Sequence, residues 1–387
     1  MTFSKVIGQE RVVGSLKKAI ESGRVAHAYV FYGPDGVGKR AAALAMAAAL
    51  QCDAPSGGES CGTCGACHKA SKGLHPDVHV MMPTTKEQDL QDVGARLRML
   101  AEDPYQRVDY RSRPNLDGKR SATNKQVHIF IDHVNNHLRK EMSYHSVEGK
   151  YRVAILLDAD LMRVDAANAL LKLLEEPGNR SVLILVTNRI DHLLPTILSR
   201  CQQIRFDTLS TADVERALLS RGIDASRAAT LSRMADGSIG RAIDLASNED
   251  LLQTREEVLE FLRVSYQGKG NRVVSAADAM SRPGREYTKF QLLVLLGLLR
   301  DLILIRASGN TDLVVNIDQA EALLRFSSNL PDANLENMVD AVEETAMLVE
   351  RNINLRLALI SLSRVLGRSM RGEPGVRMVT DLLEVTA

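Results

Sequence analysis

Four cysteines fall close together at Cys52, Cys61, Cys64 and Cys67, with the spacing C-x8-C-x2-C-x2-C. Thiolates this near one another can close a tetrahedral Zn²⁺ site, and Gly62 and Gly65 permit the tight turns between ligands. Four thiolates leave the metal no open position, so its role is structural. The ferredoxin pattern needs a further Cys followed by Pro, whereas His68-Lys69-Ala70 follows here, which argues against an iron–sulfur cluster. The plain alternative is a set of free or disulfide-linked thiols. His68 and His75 read as non-ligands, and the fifth cysteine, Cys201, as a packed thiol.

A second chemical element is the run Gly33-Pro34-Asp35-Gly36-Val37-Gly38-Lys39. Glycines at this spacing let backbone N–H groups wrap a phosphate, a following helix adds positive potential, and Lys39 reaches the outer phosphates. The next residue ought to carry a hydroxyl for Mg²⁺, but it is Arg40, which has no lone pair for a metal and repels one. The apolar run Val153–Leu157 ends in Asp158, a carboxylate suited to hold Mg²⁺. The position of a water-activating Glu is taken by Ala159. Asp160 follows, and in a regular strand it points the opposite way from Ala159. Losing a positioned base costs about 10²–10⁴ in rate. The chain is therefore expected to lack hydrolytic turnover, while ATP binding through the backbone amides and Lys39 stays open.

These groups must be positioned by an α/β frame. Candidate strands are Ala28–Tyr32, Val78–Met82, Arg152–Leu157, Ser181–Thr187 and Gln202–Phe206. Helical patterns lie between them at Lys39–Leu50, Ile129–Met142 and Ala166–Leu174. The alternation predicts a parallel sheet covered on both faces over 1–208. Residues 83–125 interrupt it with a helix near Glu87–Ala101 and then a polar stretch holding Arg107, Arg111, Arg113, Lys119 and Arg120 among Asp109 and Asp117. That stretch reads as a solvated excursion, or as a DNA or partner contact. Short helices fill 209–250, with a turn at Asp236-Gly237-Ser238. Residues 251–370 are helical in pattern, as in Phe290–Ile305 and Asn354–Leu366. The stripe Leu292, Leu295, Leu296, Leu299 and Ile303 reads first as core. The segment 371–387 forms a tail.

Together these motifs resemble the clamp-loader AAA+ proteins of bacterial DNA polymerase III, and the delta-prime type among them, over about residues 1–245. The resemblance is carried by Phe3-Ser4-Lys5-Val6-Ile7-Gly8-Gln9-Glu10, by Ala26-His27-Ala28, and by Ala166–Lys172 running into Leu174-Glu175-Glu176-Pro177. It continues through Leu194-Pro195-Thr196-Ile197-Leu198-Ser199-Arg200-Cys201. It implies a P-loop domain, a small helical lid and an all-α collar. It implies that Arg200 acts as a finger on a neighbouring subunit's ATP, stabilising charge on the transferred phosphoryl group by about 10³–10⁵ in rate. It places Thr187 and Asn188 at a sensor-1 strand end and Arg241 near a sensor-2 position. The degenerate nucleotide site is then Gly33, Gly36, Gly38, Lys39, Asp158, Asn188 and Arg241. The family's cysteine cluster also follows its phosphate-loop helix. The partners implied are a gamma/tau-like ATPase and a delta subunit in a five-subunit ring, with the sliding clamp and primed DNA reached through the complex.

The bulk composition fits such a shared role. The chain has 387 residues, a formal net charge of +1, no Trp and 4% aromatics. A protein gripping DNA alone usually carries a basic excess, and a single-strand binder an aromatic platform. No apolar signal core opens the sequence, and Phe290–Leu299 is too short to span a membrane, so a cytosolic place is expected. Two other readings remain. One is an active motor of the same ring, which needs Asp160 to replace the missing Glu. The other is a zinc-bearing nucleic-acid-binding repair protein.

Overall fold

Residues 2–85, 90–106, 108, 110, 127–143, 146–148, 150–247, 251–309, 314, 320–350 and 353–373 are described by a computed structural model of the chain. They divide into two compact units, Met1–Ala246 and Ser247–Ala387.

The first unit is built on β1 (Ala28–Tyr32), β2 (Val78–Met81), β3 (Arg152–Leu156), β4 (Ser181–Thr187) and β5 (Gln202–Arg205). All pairs are parallel, in the order β2-β3-β4-β1-β5. Each strand stands within a residue of its sequence expectation. Alternate residues go to opposite faces, as the period of two requires. Tyr29, Phe31, Val153, Ile155, Val182, Ile184 and Val186 share one core with α2 (Lys39–Gln51). Ala28, Val30, Ala154, Leu156, Leu183 and Leu185 share the other with α6 (Val164–Glu175). The alanine run of α2 is buried nearly all round, which lets that helix lie close against the sheet.

The remaining helices of this unit are α1 (Glu10–Glu21), α3 (Gly65–Ser71), α4 (Leu90–Glu102), α5 (Arg139–Ser143), α7 (Pro195–Leu198), α8 (Thr211–Leu219), α9 (Ala225–Met234) and α10 (Ile239–Ser247). The helix expected over Ile129–Met142 is present, but its middle, His133–Leu138, is wound as a π-helix that runs into α5. A π-turn inserts an extra residue per turn, which periodicity does not announce.

The described part of 83–125 also differs from a solvated excursion. Leu100, Tyr105, Val108 and Tyr110 are buried in the first unit. The charges Arg107, Arg111, Arg113, Lys119, Arg120, Asp109 and Asp117 lie outside the described residues.

The second unit is helical: α11 (Leu251–Gln267), α12 (Gly270–Ser281), α13 (Arg285–Ser308), α14 (Ala320–Asn329), α15 (Leu335–Glu350) and α16 (Leu355–Met370). Leu292, Leu295 and Leu299 of α13 are buried at its centre, with Leu296 and Ile303 packed against them. Helices α11 and α16 approach closely at Gly367, where a Cβ would stand 2.2 Å from the Ser265 carbonyl oxygen. Among the described residues, no helix is long and apolar enough to cross a membrane.

Candidate functional site

Parallel pairing brings the carboxyl ends of β1, β3 and β4 to one edge of the sheet, the usual place for a ligand in an α/β fold. The loop Gly33–Gly38 leaves β1 there and opens α2. Gly36 and Gly38 hold φ of 72° and 108°, backbone that L side chains rarely adopt. Gln9 of the N-terminal box braces the loop: its Nε2 donates to the Val37 carbonyl at 3.2 Å and to the Asp207 carbonyl at 2.8 Å.

The loop is closed on itself. Lys39 Nζ donates to the Gly33 carbonyl at 2.7 Å and also to the Pro34 carbonyl. The cation expected to reach a phosphate is buried against its own loop, and burial pulls its pKa down to about 8. The Ile239 and Gly240 N–H groups, at the start of α10, donate to the Gly36 carbonyl at 3.1 and 3.3 Å. A Cβ on Gly36 would lie 2.3 Å from Ser238 Oγ, so only glycine permits this approach. Tyr105 fills the remaining side. Its hydroxyl accepts from the Ile7 N–H at 2.9 Å, and Arg221 stacks over its ring at 5.7 Å. Asp35, Lys39, Tyr105, Asn188, Gly240 and Asp244 line the cleft beside the loop. Arg241 follows Gly240 on α10, half-buried, with its N–H donating to Ser238 Oγ at 3.1 Å.

Asp158, the carboxylate expected to hold Mg²⁺, is engaged by Arg40 and Tyr110. Arg40 Nη2 lies 3.0 Å from Asp158 Oδ2 and 3.3 Å from Oδ1. The Tyr110 hydroxyl donates to the same Oδ2. Asp158 reaches this position from a left-handed backbone, φ 48°. The Arg40 side chain keeps 15% of its exposure. Burial works against its charge, but the charge and hydrogen bond of Asp158, with Tyr110 and Asp35, together outweigh that penalty and hold the Arg40 pKa above its usual value. Tyr110 is pushed well up by burial and then by Asp158. Arg96 of α4 supports Tyr110 from behind, donating to its carbonyl at 3.2 Å.

Asp160 does not continue the strand. β3 ends at Leu156, and Asp160 sits in a short turn, Ala159–Leu161, rather than alternating with Ala159. Its Oδ1 accepts from Thr187 Oγ1 at 2.8 Å, and its Oδ2 lies 3.5 Å from Arg189 Nε. Thr187 and Asn188 do end β4 beside the cleft. Asp160 is thus already engaged by Thr187 and Arg189.

Arg200 stands elsewhere, just past α7. Its Nη2 lies 3.0 Å from Glu175 Oε1, and its Nη1 donates to the Thr196 carbonyl at 3.0 Å and to Ser199 Oγ at 3.4 Å. The side chain keeps 37% of its exposure. Next to it, Cys201 packs on the α6 face of the sheet, and burial pushes its pKa up to about 12.

The four other cysteines come together. Their Sγ atoms all lie within 4.8 Å of one another. Cys61 Sγ and Cys67 Sγ are 3.9 Å apart, close to the roughly 3.8 Å edge of a tetrahedron with metal–sulfur bonds of about 2.3 Å. N–H groups point at the sulfurs, Cys61 to Cys52 at 3.2 Å, Cys64 to Cys61 at 3.4 Å and Cys67 to Cys64 at 3.4 Å. Such donors stabilise thiolate charge, so this donor set fits a structural metal.

The profile of the family described as DNA polymerase III, delta subunit, matches residues 8–210, and that of the delta subunit's C-terminal part matches 249–363. The chain belongs to this family. Its relatives include delta' subunits and gamma/tau subunits. The chain is 28% identical over 350 residues to DNA polymerase III subunit delta' of Bacillus subtilis, covering 90% of this chain and 93% of that one. It is 36% identical over 178 residues to subunit delta' of Pseudomonas aeruginosa, covering 46% of this chain and 42% of that one. The gamma/tau subunit of Mycobacterium tuberculosis is 29% identical over 220 residues, covering 57% of this chain and 31% of that protein. A solved gamma-subunit-related protein of Thermotoga maritima covers 92% of this chain and 99% of its own at 15% identity, with a TM-score of 0.39.

Reading motifs in this delta-family chain misses Tyr105 and Tyr110. They belong to no motif, and the charged stretch around them masks their role. A faint signal exists: two tyrosines amid a run of charges, in a chain with only 8 tyrosines.

Proposed function

We propose that this chain is the delta-prime subunit of a DNA polymerase III clamp loader, an AAA+ protein that does not turn over ATP itself and lends Arg200 to a neighbouring ATPase subunit. The observation that carries the reading is the Arg40–Asp158 pair. A guanidinium sits where the hydroxyl and Mg²⁺ of a working site belong, while a second guanidinium faces solvent with donors to spare. Ala159 offers no base, and Asp160 is tied to Thr187 and Arg189, which counts against a motor subunit.

In this role Arg200 approaches the phosphates held by the adjacent subunit and balances charge as the phosphoryl group transfers. Its Nε–H and second Nη2 hydrogen are directed to that anion. The neighbour is a gamma/tau-like ATPase, and a delta subunit completes a five-membered ring that loads the sliding clamp onto primed DNA in the cytosol. The second unit serves as the collar segment. Cys52, Cys61, Cys64 and Cys67 hold a Zn²⁺ ion, which supplies a rigid cross-link to the loop after α2 and no catalysis.

The test is twofold. The purified chain shows no DNA-stimulated ATP hydrolysis, and Arg200→Ala in a reconstituted loader lowers its ATP turnover with assembly intact. Robust hydrolysis by the chain alone, or full turnover with Arg200→Ala, rejects the reading.

A further inference from the structure

Glu175 has no evident reason to stand where it does. It is the last residue of α6, where the unpaired carbonyls make the helix end negative and favour a cation. A carboxylate there works against the helix. Its contact in the structure is Arg200, at 3.0 Å, reached across 25 residues of sequence.

Resting on the reading of Arg200 as a trans-acting finger, we propose that Glu175 is its positioning residue. Glu175 and the Thr196 carbonyl grip the guanidinium along one edge, each at 3.0 Å. With the further bond from Nη1 to Ser199 Oγ, that fixes the plane of the group and leaves Nε–H and one Nη2 hydrogen to donate elsewhere. An arginine side chain has several rotatable bonds and loses much freedom when a ligand holds it. An edge already aligned loses less on meeting the phosphates, so the benefit falls on the transition state. Thr196 lies in α7, four residues before Arg200, and Glu175 at the end of α6, so the finger's aim is set by its own helix together with a second one.

The carboxylate and guanidinium are half exposed, at 50% and 37%. A contact this open is weak, so the expected effect is a few-fold and no more. Gln keeps the acceptor oxygen at the same reach, whereas Ala removes it.

The experiment uses the reconstituted loader containing this chain and measures steady-state ATP turnover for wild type, Arg200→Ala, Glu175→Ala and Glu175→Gln. Glu175→Ala is expected to lower kcat about two- to five-fold with KM for ATP unchanged. Glu175→Gln is expected to recover most of that loss, and the chain's thermal midpoint is expected to stay within error for both. A merely structural residue would move the midpoint and not kcat alone. Equal or faster turnover with Glu175→Ala, alongside a loss with Arg200→Ala, overturns the positioning role and leaves the finger standing. No loss with Arg200→Ala removes the finger itself.

Discussion

Arg40 and Asp158, 118 residues apart in sequence, form a two-contact ion pair at the carboxyl edge of the sheet. The charge on Arg40 is permanent, so Asp158 is neutralised whether or not Mg²⁺ or nucleotide is at hand. Breaking a buried pair by removing one partner strands the other charge, at a cost of about 3 kcal/mol or more. Arg40→Ser is therefore expected to lose about that much in denaturant unfolding. It also restores a hydroxyl beside a carboxylate. Mg²⁺ at millimolar concentration should raise the melting temperature of the variant and leave wild type unmoved. A variant as stable as wild type would show that the pair is incidental.

Tyr105 holds the cleft shut from the side of the N-terminal box. Its ring is buried, and its carbonyl oxygen lies 3.3 Å from where a Cβ on Gly240 would stand. Truncating a buried aromatic typically costs about 3–5 kcal/mol. Tyr105→Ala should fall in that range. Hydrogen exchange at the Ile239 and Gly240 amides should accelerate, because α10 loses a support beside its contact with Gly36. Unchanged exchange there would mean that Gly36 alone anchors the helix.

Lys39 gives a pH signature. Burial lowers its pKa to about 8 from 10.5, so between those values the unfolded chain holds a proton that the folded chain has released. Stability from this residue therefore rises as pH goes from about 8 to 10.5, and below 8 the folded state bears the full cost of a buried charge. Lys39→Met removes the group. Comparing the two proteins at pH 7 and pH 10 cancels the pH-independent losses. The difference between them should move in favour of wild type by about 2 kcal/mol. A constant difference would place the Lys39 ammonium in solvent.

The cysteine cluster predicts one bound zinc per chain by elemental analysis. Cys64→Ser should abolish stoichiometric metal. A strong chelator should lower the wild-type melting temperature by several degrees and leave that of the variant unchanged. Melting that ignores the chelator would assign the four thiols a packing role only.

Much of this protein is written locally. Apolar runs bounded by polar turns marked the three central strands, β1, β3 and β4, because strand burial on both faces leaves a continuous signature over five to seven residues, whereas the edge strands β2 and β5 are shorter and more exposed. The glycines of the phosphate loop and the tight cysteine spacing are short-range patterns too, and both elements formed where they were expected. The identity of Arg40 was legible too, as a guanidinium where a phosphate loop ordinarily carries a hydroxyl.

What the guanidinium does instead belongs to the tertiary structure. Arg40 meets Asp158 because α2 crosses the sheet beside β3, and strand order is not a local property. Asp160 turned toward Thr187 because the strand stopped at Leu156, short of the register assumed for it. Tyr105 and Tyr110 joined the cleft from a stretch whose charges suggested solvent. Arg200 met Glu175 only because two helix ends converge. In each case a pairwise contact across many residues decides the chemistry, and the energies of such contacts depend on burial and angle, quantities that exist only once the chain has folded.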